Sequence, residues 1–97
     1  MHIGVCRLAL HLPDSHSLKD KRQVARSLTS RLHNQFNVAV AEDPGDDLWQ
    51  SLTLVVCCVS NDASHANEVI SRVVTFVEDS RRDLQLQDYE TEIISGV

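Results

Sequence analysis

The chain has 97 residues, 42% of them hydrophobic and 24% charged, which is enough for one hydrophobic core and far from the compositions that stay disordered. Its formal charge of −5 excludes indiscriminate attraction to nucleic acid or anionic lipid. No run approaches the roughly 20 apolar residues that span a bilayer, and Arg7 interrupts the opening segment too early for a secretory signal, so the expected compartment is the cytoplasm.

Residues 2 to 12 alternate as a strand does, with Cys6, Leu8, Leu10 and Leu12 on one face and Arg7, Ala9 and His11 on the other. Pro13 ends the strand, and Ser17 with Asp20 three residues later forms an acidic capping box that starts a helix over residues 18 to 35. Leu18, Val24, Ala25, Leu28 and Leu32 make its apolar side, while Lys19, Arg22 and Arg26 recur at i, i+3 and i+7 on another face. Phe36, Val38 and Val40 then alternate with Asn37, Ala39 and Ala41 in a second strand, closed by the turn Asp43-Pro44-Gly45-Asp46.

Residues 51 to 59 are apolar almost throughout and rich in β-branched side chains, as expected of a central strand. Asn61 or Asp62 caps a second helix with Ala66, Val69, Ile70, Val73 and Val77 in one stripe. In the last strand the inward parity switches between Leu84/Leu86 and Tyr89/Ile93, which predicts a bulge near Gln87 or Asp88. The order βαββαβ, with right-handed crossovers, predicts one α+β domain over residues 1 to 97. It is a ferredoxin-like sandwich whose four-stranded antiparallel sheet, order 4-1-3-2, carries both helices on one face.

The charge is unevenly spread. Residues 14 to 35 carry five basic groups (Lys19, Lys21, Arg22, Arg26, Arg31) against Asp14 and Asp20, so the remainder of the chain carries −8. A basic helix on an acidic body is the feature that points to a polyanion, and Lys19, Lys21, Arg22 and Arg26 are the candidate RNA contacts. The helix-free face would present Arg7, Ala9, His11, Val55, Cys57 and Val59. These, with Trp49, are candidates for a homodimer or protein–protein interface. Trp49 either pins its loop to the sheet edge or anchors such an interface. No aromatic residue lies in the two central strands to stack bases as RNA-recognition sheets do.

The chemistry of catalysis is missing from the pattern. Histidines at 2, 11, 16, 33 and 65 form no metal-binding spacing, and Cys6, Cys57 and Cys58 read as reduced thiols. Cys57 with His11 is the one pair to consider for a reactive thiol. The acidic turn Glu42, Asp43, Asp46, Asp47 lacks the alternation that wraps calcium. Acylphosphatases resemble this fold, yet Pro13-Asp14-Ser15-His16-Ser17 offers neither their glycine-rich cradle nor their arginine. The expectation is a non-enzymatic protein without metal or cofactor.

Several short pieces coincide along the chain: Met1-His2-x-Gly4-Val5, Ser17-Leu18-Lys19-x-Lys21-Arg22, Phe36-Asn37-Val38-x-Val40-Ala41-Glu42, Leu48-Trp49-Gln50 and Ser60-Asn61-Asp62. Over residues 1 to about 94 they resemble the YlxP-like family of small bacterial proteins. The resemblance implies a ferredoxin-like fold, a bacterial cytoplasmic setting, and genes beside those for translation initiation and ribosome-binding factors; it implies no activity. The family's basic helix-start motif falls on Lys19, Lys21 and Arg22. Cys57-Cys58 departs from the small aliphatic residues expected there. Two functions follow as expectations: an accessory protein contacting structured RNA or ribosome-associated factors through its first helix, or a homodimeric interaction module using the open sheet face.

Overall fold

The computed structural model describes residues 1–45, 48–80 and 83–97. The elements follow the order β1 (His2–His11), α1 (Leu18–Gln35), β2 (Ala39–Asp43), β3 (Ser51–Ser60), α2 (Ala63–Asp79) and β4 (Gln85–Ser95). All strand pairs are antiparallel and the sheet order is β2-β3-β1-β4, the predicted arrangement. Strand β2 starts later than its alternation suggests, and Glu42 and Asp43 extend it instead of opening the turn.

Register decides which side chains share a face. Cys6, Leu8 and Leu10 stand opposite Val56, Leu54 and Leu52, and all six are buried under the helices. Each such side chain removed from water stabilises the fold by roughly 1.5–3 kcal/mol before the entropy of ordering is counted. The helices add Ala25, Leu28 and Leu32 from α1 and Ala66, Ile70, Val73, Val74 and Val77 from α2 to the same single core. Phe36, just after α1, meets Phe76 of α2 edge to face at 5.7 Å between ring centroids.

Local chemistry sets the boundaries. The Ser17 hydroxyl accepts the Asp20 N–H at 3.1 Å while the Asp20 carboxylate accepts the His16 N–H at 3.0 Å, so the box closes one residue early. Asp62 caps α2 by accepting the Ser64 N–H at 3.0 Å. Along β1 and β4, Ala9 pairs with Asp88 but Leu10 with Leu86, which leaves Gln87 as the extra residue of the predicted bulge.

Glycine is required at position 4. A β-carbon there would stand 2.8 Å from Ile70 Cγ1, 3.1 Å from the Ala66 carbonyl oxygen and 3.1 Å from Cys58 Sγ. The bare backbone lets α2 lie close on β1, and Cys58 Sγ donates to that same Ala66 carbonyl at 3.7 Å.

Candidate functional site

Helix α1 buries Lys21, Ala25, Leu28 and Leu32 at i, i+4, i+7 and i+11, a seam in which a lysine takes an apolar position. Lys19, Arg22 and Arg26 project on the exposed side. Among the described residues none of these three forms an ion pair with a carboxylate. Arg26 lines a shallow groove of ≈ 380 Å³ between α1 and β2, with Thr29, His33 and Glu42. Arg31 is drawn away from the row towards Asp83, at 3.8 Å.

Two residues of this helix depart from the sequence reading. Lys21, expected among the polyanion contacts, is only 6% exposed and donates from Nζ to the Leu48 carbonyl at 3.2 Å. Its stem fills the seam, and its ammonium is spent on the loop before β3, so it braces the site and presents no charge outward. Leu18, expected in the core, is 46% exposed because the seam passes through Lys21 instead.

The bond from Lys21 brings a distant segment to the start of α1. The Leu12 N–H donates to the Gln50 carbonyl at 2.9 Å and Gln50 Nε2 donates to the Pro13 carbonyl at 3.2 Å, so of the neighbours of Trp49, Gln50 is tied to the connection between β1 and α1 and Leu48 to Lys21 in the first turn of α1. Trp49 itself is 52% exposed and Leu48 63%. The indole therefore does not pin its loop to the sheet edge as one sequence reading expects. It stands out from a turn whose Leu48 carbonyl is held by Lys21, and the length of β3 separates it from Val59 and the other open-face candidates. Sequence reasoning missed this neighbourhood; its one signal was the shared motif content of Ser17–Arg22 and Leu48–Gln50.

The helix-free face has the opposite electrostatics. Register places Ile3, Val5, Arg7, Ala9 and His11 of β1 beside Val59, Cys57, Val55, Thr53 and Ser51 of β3. On β4 the same face carries Asp88, Glu90, Glu92 and Ile94, and on β2 Ala39, Ala41 and Asp43. Arg7 reaches across β3 to pair with Asp43. The face thus holds four carboxylates and one guanidinium, already neutralised, around an apolar centre, and it would repel phosphate.

His11 lies opposite Ser51 whereas Cys57 lies opposite Val5, six residues further along β3 and about 20 Å away. The reactive pair considered from sequence is therefore not formed. All three cysteines are free, and burial pushes the Cys6 thiol from 9.0 up to about 11, the opposite of an activated thiolate. Of the acidic turn, Asp43 is engaged by Arg7 while Asp46 and Asp47 lie outside the described residues. Among the described residues no group of three or more His, Cys, Asp or Glu side chains is placed to hold a metal ion, and no helix is long and apolar enough to cross a membrane.

Comparison with known proteins agrees with the resemblance in the motifs. The uncharacterized protein YlxP of Bacillus subtilis (strain 168) is 30% identical over 76 residues, which cover 78% of this chain and 83% of that protein. The profile of the family described as "Protein of unknown function (DUF503)" matches residues 3–91, nearly the whole sandwich. On that match the chain belongs to the DUF503 family and is YlxP-like within it.

Proposed function

We propose that this protein acts by binding and not by catalysis, and that its ligand is structured RNA held by the exposed face of α1. The observation that carries the reading is the row Lys19, Arg22 and Arg26, exposed and without ion pairs among the described residues, while the helix-free face of the sheet holds Asp43, Asp88, Glu90 and Glu92. Such segregation orients an acidic protein towards a polyanion: the basic side attracts phosphate while the acidic side suppresses other docking poses. Three phosphate contacts give a slope of log affinity against log salt of about −2 to −3.

The test is titration of labelled structured RNA between about 50 and 200 mM salt, together with co-sedimentation with ribosomal subunits. Lys19→Glu combined with Arg22→Glu should abolish most of the salt-dependent binding and remove the co-sedimenting fraction. Equal binding by the double variant excludes the reading.

A second reading rests on the apolar end of the open face, where Val59, Ile3 and Ile94 lie side by side and Val59 is 65% exposed. Contact between two copies would cover it. Val59→Glu should then convert a dimer to a monomer in light scattering, and a wild-type monomer at high concentration removes this reading.

A further inference from the structure

The basic row runs into the groove between α1 and β2. Lys19, Arg22 and Arg26 follow one another at single-turn spacing, and Arg26 forms one wall of the groove together with Thr29 and His33. The facing wall comes from β2. Its register pairs Val40 with Val56 and Glu42 with Leu54, both partners buried under the helices, so Glu42 points to the helix side of the sheet while Ala41 and Asp43 belong to the open face. Buried Ala25 and Leu54 make the floor. At ≈ 380 Å³ the groove falls within the range of small-ligand clefts, roughly 300–1,000 Å³. From Ala25 to His33 it follows α1 for about 12 Å at 1.5 Å per residue. Among the described residues neither Arg26 nor Glu42 forms an ion pair, so a guanidinium and a carboxylate line the same groove with neither neutralised.

Those two groups ask for a ligand with an anionic end and a donor end, which a nucleotide has. Arg26 continues the row that meets phosphate, while the Glu42 carboxylate accepts hydrogen bonds and donates none. Among the bases only guanine sets two N–H donors side by side on its Watson–Crick edge, N1–H and the N2 amino group. Cytosine and adenine place an acceptor beside their amino group, and uracil flanks its N–H with carbonyls. Base pairing uses that edge, so the guanine must be unpaired. Resting on the RNA reading above, we infer that the groove receives an unpaired guanine nucleotide, its Watson–Crick edge on the Glu42 carboxylate and its phosphate on Arg26. His33, on the same wall as Arg26, offers a flat ring on which the base can rest. Lys19 and Arg22 hold the next phosphates along the strand, so the row positions the RNA and Glu42 reads it.

The probes are a labelled RNA hairpin with a uridine loop, the same hairpin with one loop uridine replaced by guanosine or by inosine, which lacks the N2 amino group, and free guanosine monophosphate. In fluorescence anisotropy the guanosine loop should bind more tightly than the uridine loop by roughly 5- to 150-fold, with the inosine loop between them. Glu42→Ala should bring the three loops to equal affinity, and circular dichroism checks that this variant is folded. Equal affinity of the parent for guanosine and uridine loops, or a Glu42→Ala variant that keeps the preference, overturns the groove inference. If Lys19→Glu with Arg22→Glu still abolishes binding in that case, the RNA reading stands. Absence of binding to any hairpin overturns the RNA reading. Saturable binding of guanosine monophosphate that Glu42→Ala removes would then keep the groove as a site for the free nucleotide, and absence of that binding as well overturns both.

Discussion

Replacing Gly4 by alanine tests how closely α2 lies on the sheet. The added methyl would meet Ile70 Cγ1 at 2.8 Å, where carbon atoms prefer about 3.5–4.0 Å, and would also crowd the Ala66 carbonyl and Cys58 Sγ, each at 3.1 Å. None of the three can swing aside, because Ile70, Ala66 and Cys58 are all buried and one contact is helix backbone. The helix must back away and loosen the packing of Ile70, Val73 and Val77, which costs about 1–3 kcal/mol. Reduced freedom of the unfolded chain offsets about 0.4–1 kcal/mol of this, since Gly4 is not at a positive φ that alanine would resist. The net loss of about 1–2 kcal/mol corresponds to a melting temperature lower by roughly 5–15 °C. Urea denaturation followed by circular dichroism measures it, with an unchanged m-value. In an Ile70→Ala background, which lacks Cγ1, the same substitution should cost at least about 1 kcal/mol less. A Gly4→Ala variant as stable as the parent, or one with equal cost in both backgrounds, refutes the close-approach argument.

Lys21→Met keeps the buried stem but loses the donor to the Leu48 carbonyl; denaturation should show a loss of about 1 kcal/mol and fluorescence anisotropy a more mobile Trp49, while the salt slope of RNA binding stays that of the parent. A slope reduced by that substitution would return Lys21 to the phosphate contacts. The Cys6 thiol, raised from 9.0 to about 11 by burial, remains protonated in the fold at pH values where the unfolded chain ionises. The folded state then binds the extra proton, so the contribution of Cys6 is fully present below pH 9 and is lost towards pH 11, by about 1 kcal/mol per pH unit. Cys6→Ala should flatten that part of the stability profile, and an unchanged profile counts against the burial argument.

Much of the fold was legible because its signals are local. Period-two alternation in residues 2 to 12 and the apolar run 51 to 59 marked the two central strands and identified the side chains that β1 and β3 bury. Ser17 with Asp20, and Asn61 or Asp62, announced the helix starts, and the parity switch in the last strand put a bulge near Gln87 or Asp88, of which the register selects Gln87. The basic row was equally readable, since i, i+3 and i+7 define one side of a helix whatever packs on the other.

The site itself was only half visible. Periodicity ranks residues by chemical type, so it placed Leu18 inside and Lys21 outside; the fold reverses both, because a lysine with a carbonyl to reach can bury its stem in the seam. That carbonyl belongs to Leu48, 27 residues away, and the cross-sheet pair of Arg7 with Asp43 spans 36. What the sequence determined by itself was each element, its caps and its charged side, all properties of a few consecutive residues. Only the tertiary structure decided that Leu48, next to Trp49, is tied to the first turn of α1 and that Asp43, Asp88, Glu90 and Glu92 share the sheet face away from the helices. Those placements depend on strand register and on single long-range hydrogen bonds, and neither leaves a periodic trace in the chain.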